Sequence, residues 1–462
     1  MVKTFSVLLL VVFVQLFCQN GGDLDTSFNP GIGANYFVKN IALQQDKKIL
    51  VGGEFSSFNN YSSQSLVRLN FDGNIDNSFL SKLEPNSKVY SVVIQPDGKI
   101  IVGGYFTHYD DVEQNFITRL NSDGSLDTTF NSGSGANHTI YSMILQDNGK
   151  ILICGYFSYY NNHYRNGIAR LNQDGSLDLS FDAGITDGEE FSTYTAAIQS
   201  DGKYLIGGDF YNFNNLSIRG LVRLNIDGSL DETFNTQTIQ SNVNSIVVQP
   251  NQKILIGGGL NFGSVSRSIA RLNEDGTFDT TFDVGIGANS GVYSVALNKD
   301  GKIYIAGSFF KFNSTSIRYL ARLNSNGSLD TSFNTGTSTN LYIHAIKIQD
   351  DGRLLIGGEF TSYNSTQINR IARLLKGNEL SAEDLKKKEI LLFPNPAANY
   401  FSIYSDESII KYRIFDIGGI IIKEDHYYKN SNINIAFLEK GNYILQLIYK
   451  NGTTNSKKFI KE

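Results

Sequence analysis

The chain has 462 residues, a formal net charge of −5, two Cys, two Met and no Trp. It has no basic stretch of the kind that binds nucleic acid, and it is long enough to bury a large core or more than one. Abundant Gly, Asn, Ser, Phe and Tyr suit many short strands joined by turns, so an all-β chain is expected.

The N-terminus, MVKTFSVLLLVVFVQLFCQN, places one Lys before an apolar run from Phe5 to Cys18. This is the pattern of a secretory leader over 1–18, too short to span a bilayer, which takes about 20 apolar residues. No transmembrane helix is expected in the mature chain. Phe17 stands where a lipidated Cys18 would want a small residue, so lipid attachment is discounted. Cleavage near Cys18 leaves Cys154 alone, with no intramolecular disulfide. Cys154 takes the place of a Gly or Ala in other repeats and reads as a small buried residue.

A glycine doublet then recurs in LVGGEF (50–55), IVGGYF (101–106), ICGYF (153–157), IGGDF (206–210), IGGGL (256–260), IAGSF (305–309) and IGGEF (356–360). The period of about 51 residues indicates a propeller or solenoid. In the second copy four strands are expected: 89–95, 99–106, 116–121 and 125–130. Gly98 and Gly124 close three-residue hairpin loops that need a positive φ. The doublets suit close backbone approach between blades.

The second hairpin, RLNSDGSLDTTF (119–130), has near copies in the other repeats. Register arithmetic sets Leu120 opposite Leu126 and Arg119 opposite Asp127. The same sums pair Arg68 with Asp76, Arg170 with Asp178, Arg223 with Asp231, Arg271 with Asp279 and Arg322 with Asp330. Six copies of a charge pair read as sheet stabilisers rather than catalysts. The NxDGxxD turns lack the further ligands of a calcium loop.

At the chain's ends the hairpin is split. LDTSF (24–28) is a tail without a head, and ARLL (372–375) is a head without a tail. The expected fold is a seven-bladed β-propeller of four-stranded antiparallel blades over 19–375, closed by the N-terminal strand with Arg373 facing Asp25. These residues resemble the delta-60 repeat family of bacterial β-propellers, marked by GGxF followed by RLNxDGxLDxxF. The resemblance implies a fold and no defined activity.

Residues 376–389 read as a linker, with a short helix capped by Ser381 as the alternative. From 390 to 462, alternating strands make a small C-terminal β-sandwich. Its features are Phe393-Pro394-Asn395-Pro396, Gly418-Gly419, Gly441-Asn442-Tyr443-Ile444 and a Lys-rich last strand. They are similar to the type A C-terminal sorting domain of the type IX secretion system of Bacteroidota. That resemblance implies Sec export to the periplasm, passage across the outer membrane by the type IX machinery, removal of the tail by a surface peptidase, and attachment to surface lipopolysaccharide or release.

No GxSxG, HExxH or P-loop pattern is present, and no cofactor or metal is expected. The histidines at 108, 138, 163, 344 and 426 have no metal-ligand spacing, and Glu189 with Glu190 reads as a solvated turn. The loop after the second strand carries an aromatic followed by Asn or Asp in six blades, giving Phe58, Tyr109, Tyr160, Phe213, Phe312 and Tyr363. By topology these loops adjoin NPGIGAN (29–35) and DVGIGAN (283–289). The six rings form either a ligand face for glycan or protein or wedges between blades, with Asn shaping the turn. The function expected is a noncatalytic cell-surface or secreted binding module. The alternative is a polysaccharide-active enzyme, which would need acids or His converging at the channel mouth, and the sequence shows no such cluster.

Overall fold

The structure, a computed structural model, describes residues 21–184, 191–235, 239, 241–262, 265–377, 391–404, 409–428, 431–449 and 454–462. The expected leader, Glu189, Glu190, Ser381 and most of the expected linker lie outside the described residues. Every regular element within them is a strand. No helix is long and apolar enough to cross a membrane. The chain divides into two compact units, 1–378 and 379–462.

The first unit holds seven three-stranded antiparallel sheets. In the second blade the inner strand is Lys88–Ile94, the second Ile100–Tyr105 and the third Ile117–Leu120. Inner strands of successive blades adjoin, and Ile343–Ile348 of the last blade packs beside Val38–Leu43 of the first, so the ring is closed. Aliphatic side chains of the second and third strands are fully buried between blades, which divides the core into one apolar cluster per interface.

The fourth strand is shorter than its sequence suggests. It makes a single bridge, Leu120 to Leu126, and then leaves the sheet. The cause is Asp127, whose Oδ1 accepts hydrogen bonds from the Thr129 amide (3.1 Å) and hydroxyl (2.7 Å). An aspartate that caps its own following turn competes with the ladder, and the turn sends Phe130 toward the next blade, against Gly175.

Asp127 Oδ2 accepts from Arg119 Nε at 2.6 Å. Arg68 and Asp76 are 2.7 Å apart in the same way. Lys99, unnoticed in the sequence, adds a third charge 2.8 Å from Asp127. The Arg119 guanidinium also lies over the Phe130 ring at 5.0 Å and donates to the Gln173 carbonyl of the next blade at 2.7 Å. Each hairpin thereby anchors its neighbour. Burial alone would raise the Asp127 carboxyl, but hydrogen bonds from Lys99, Thr129 and Arg119 hold it well below the usual carboxylate range.

The split hairpin is completed between the chain's ends. Leu24 bridges Leu374, the Asp25 amide donates to the Arg373 carbonyl at 2.8 Å, and Arg373 Nε lies 2.7 Å from Asp25 Oδ2. Arg373 also stacks over Phe28 at 4.9 Å, as the other six arginines do over their own Phe.

The second unit has a three-stranded sheet (Leu391–Phe393, Tyr400–Tyr404, Asn432–Asn434) and a four-stranded sheet (Ile409–Phe415, Ile421–His426, Gly441–Tyr449, Thr454–Lys461). Phe401 and Ile433 of one share a core with Ile414, Leu445 and Phe459 of the other. The Pro394-Asn395-Pro396 segment is tied to the last strand: Asn395 Oδ1 accepts from the Ile460 amide at 2.9 Å, and the Ala397 amide donates to the Ile460 carbonyl. Tyr443, two residues after Gly441, stacks on Phe459 and donates to the Glu439 carbonyl at 2.9 Å.

Candidate functional site at the channel mouth

The six loop aromatics are not a ligand face. Phe58, Tyr109, Tyr160, Phe213, Phe312 and Tyr363 have no exposed surface. They begin two-residue hairpins in which Asn or Asp, followed by Asn, Asp or Ser, holds positive φ, as Asn59 (51°) and Asn60 (63°) do. These are the conformations of a tight primed turn. Tyr160 reaches inward and donates to the Gly175 carbonyl at 2.9 Å, and Tyr109 and Tyr363 do the same to Gly124 and Gly22. The amides are also spent internally, since Asn59 Oδ1 accepts from the Gly33 amide and Asn35 Oδ1 from the Ser56 and Ser57 amides. The rings wedge the blades and the amides join adjacent loops.

The glycine doublet instead builds a different feature. A Cβ on the first glycine would press the next blade's inner strand, as at Gly52, 2.7 Å from Val89 Cγ1. Cys154 fills that position in the third blade, and burial pushes its thiol up to about 12 despite a hydrogen bond from Thr193, so it is unreactive. A Cβ on the second glycine would collide with a carbonyl of its own inner strand, Lys88 in the case of Gly104. That carbonyl is displaced because each inner strand carries a bulge there. Val89 pairs with Gly104 and Ser91 with Gly103, which leaves Tyr90 unpaired.

The bulge recurs in every blade and isolates Lys39, Tyr90, Tyr141, Tyr194, Asn244, Tyr293 and His344. Bulges re-aim side chains, and here they assemble a girdle. Tyr90 meets Tyr141 edge-on at 5.3 Å, and Tyr141 meets Tyr194 at 5.7 Å. Tyr293 stacks on His344 at 5.3 Å, and Lys39 Nζ is 2.9 Å from His344 Nε2. Burial raises the Tyr90 phenol and the Glu54 charge raises it further.

Acids and a histidine do converge at this mouth, contrary to the sequence reading. Glu359 Oε1 lies 2.7 Å from His344 Nε2, and Glu54 lies 3.8 Å from Lys39 and 3.2 Å from Lys88. Burial and then Lys39 lower the His344 pKa, with Glu359 opposing. Burial also lowers Lys39. One ring nitrogen thus faces a donor and an acceptor: as N–H it donates to Glu359, and as a bare nitrogen it accepts from Lys39. Around the girdle stand Tyr36, Tyr105, Tyr156 and Tyr342, each 38 to 47 % exposed.

The other histidines form no site. His108 pairs with Glu84, His163 and His426 are exposed, and His138 packs against Phe116 and Tyr156. Among the described residues no group of His, Cys, Asp or Glu is placed to hold a metal ion. At the other end of the inner strands a cavity of about 1020 Å³ has aliphatic walls that include Leu145, Ile198, Val248 and Leu297.

A β-propeller family model described as a domain of unknown function, DUF5122, matches seven segments: 44–79, 95–130, 146–181, 199–234, 249–282, 299–333 and 349–376. The chain belongs to the DUF5122 β-propeller family. A secretion system C-terminal sorting domain matches 391–462, so this DUF5122 propeller is an exported protein delivered to the cell surface through the type IX machinery. No curated protein matches its sequence. Similar solved structures include the extracellular domains of two hybrid two component systems from B. thetaiotaomicron. One is 12 % identical over 96 % of this chain and 56 % of that one with a TM-score of 0.45, and the other is 13 % identical over 95 % and 58 % with a TM-score of 0.48. A gluconolactonase from Xanthomonas campestris is 12 % identical over 75 % of this chain and 97 % of that one, TM-score 0.40. The DUF5122 chain spans little more than half the length of the first two.

Proposed function

We propose that the protein is a noncatalytic binding module on the bacterial surface, and that its ligand is a glycan held at the bulge-ringed mouth of the propeller. The observation that carries this is the girdle. A fixed backbone device presents aromatic faces, hydroxyls and a few charges at one end of the channel, the mixture by which sugar rings are stacked and hydrogen-bonded. The leader over 1–18 and the tail from 390 are removed on the way, the tail by the surface peptidase of the type IX system. Glycan-array binding by the purified secreted protein tests the reading: Tyr141→Ala should abolish the signal without lowering the thermal midpoint, and binding that survives this change refutes the site.

The contact of Lys39 and Glu359 with His344 favours a second reading, a polysaccharide-active enzyme. Turnover of an array-positive polymer that disappears in His344→Ala would establish it over the first.

A further inference from the structure

The girdle's charged groups gather at one seam, between the last blade and the first, and one of them is unspent. Arg370 stands just before the third strand of the last blade. The equivalent residues are Ser65, Phe116, Gly167, Gly220, Ser268 and Tyr319, and each gives its carbonyl to the second residue of its blade's doublet. Where these residues carry a side chain it is spent on the scaffold: Ser65 and Ser268 donate to the Ser87 and Ala288 carbonyls, and Phe116 and Tyr319 pack on interblade cores. Arg370 holds the position with φ at 66°, where two other blades place glycine.

The guanidinium Nε and Nη1 are buried and donate to nothing among the described residues. This sets Arg370 apart from the outer arginines: Arg373 spends Nε on Asp25, Nη1 on the Phe71 carbonyl and Nη2 on Ser27. A buried cationic donor without an acceptor is costly, and native proteins rarely keep one without use. Arg370 lies 5.8 Å from the centre of the Phe37 ring, and Lys39 Nζ lies 5.1 Å from the same ring. Phe37 is stacked on the exposed Tyr36 at 3.9 Å. Glu359 draws on Arg370 through space but makes its hydrogen bond to His344. With His344 neutral, the three cations Lys39, Lys88 and Arg370 face two carboxylates, Glu54 and Glu359, so the seam carries one positive charge in excess inside a chain of net charge −5.

Resting on the glycan reading above, we infer that the sugar bound at this seam is anionic, its acid group taken by the Arg370 fork and its ring set against Tyr36. A planar guanidinium recognises a carboxylate or a sulfate ester through paired N–H bonds, and Lys39 adds charge beside it.

The test uses the secreted full chain and three polymers in calorimetric titration: polygalacturonate, dextran sulfate and uncharged dextran. The expected result is binding of a charged polymer and not of dextran. Arg370→Gln should weaken it at least tenfold, Arg370→Lys by a lesser factor, and Arg219→Gln, a charge-matched change on the Tyr211 ring in the fourth blade and so outside the seam between the last blade and the first, not at all. Preference for polygalacturonate assigns a carboxylate, and preference for dextran sulfate assigns a sulfate ester. Neither glutamine variant should lower the thermal midpoint, so lost binding is not lost folding. Dextran bound as tightly as the charged polymers, with sensitivity to Tyr141→Ala but not to Arg370→Gln, overturns the anionic assignment and leaves the glycan site standing. Binding indifferent to both changes, or none of any polymer, overturns both.

Discussion

Asp25→Asn tests the closure of the ring. The substitution keeps the shape and the Oδ1 acceptor that caps Ser27, but removes the charge that faces Arg373. Arg373 is 1 % exposed, so its cation is left in the interior in direct contact with Phe rings and neutral oxygens, with Asp351 acting only through space, and Arg353, 3.4 Å from Asp25, loses the same partner. Breaking a buried pair in this way costs about 3–5 kcal/mol. If the strap then lifts, burial of Phe28 is also lost, worth about 1.5–3 kcal/mol. Spread over the unfolding entropy of a chain this long, the pair alone lowers the thermal midpoint by on the order of 5 °C. Asp127→Asn makes the same local loss inside one blade and should shift the midpoint by a similar amount. The two differ in where protection fails. In Asp25→Asn, hydrogen exchange should quicken at the Asp25 and Leu375 amides, which now bond across the seam, whereas in Asp127→Asn those amides should stay protected. A midpoint within 1 °C of wild type and unchanged exchange at both amides in Asp25→Asn would refute the closure argument.

Further outcomes follow from the blade design. Gly104→Ala should cost more than Gly103→Ala, because its Cβ meets a backbone carbonyl whereas the other meets the flexible Met143 side chain; thermal midpoints of the two variants check the order. The blade aspartates are held below their ordinary values by Lys, Ser or Thr, and Arg against the opposing cost of burial. A depressed carboxylate stabilises the fold above its unfolded pKa and stops doing so as pH falls toward the folded one. Stability measured by urea midpoint should therefore be flat near neutrality and decline below about pH 4. Deleting 391–462 should leave the propeller in the periplasm, detected by fractionation, since that segment is the sorting domain.

The propeller was legible because its information is local and repeated. Hairpin register is arithmetic, and Arg119 with Asp127 could be placed from spacing alone. The same sum, carried across the chain's ends, placed Arg373 and Asp25 together. Where a side chain redirects the backbone, the reading fell short: Asp127 was read as a strand residue, yet its hydrogen bonds to Thr129 end the strand. Lys99 recurs after the inner turn in six blades, with Arg353 in the seventh, but its partner lies two strands away and no spacing rule reaches it. Phe58 and its equivalents carry a real periodicity that belongs to packing, not to a ligand. The mouth was hidden for the opposite reason. Lys39 and His344 are about as far apart in the chain as the fold permits, and the seven bulge positions share a place without sharing a residue type. A signal was present in that contrast, since the bulged position varies from Lys to Tyr to Asn to His while the residue before it is Val or Ile in every blade but the fourth, where it is Thr193.

The bulge separates what the chain must keep from what it is free to change. The residue it expels pairs with nothing in its sheet, so replacing Tyr194 by Asn or His by Tyr alters the lining of the mouth while the glycines, the ladder and the interblade core go untouched. On the binding function proposed above, seven such slots, one per turn of the repeat, make the protein a chassis whose specificity can be rewritten by point changes. Gene copies that drift at these seven places alone would recognise different surfaces with one and the same fold.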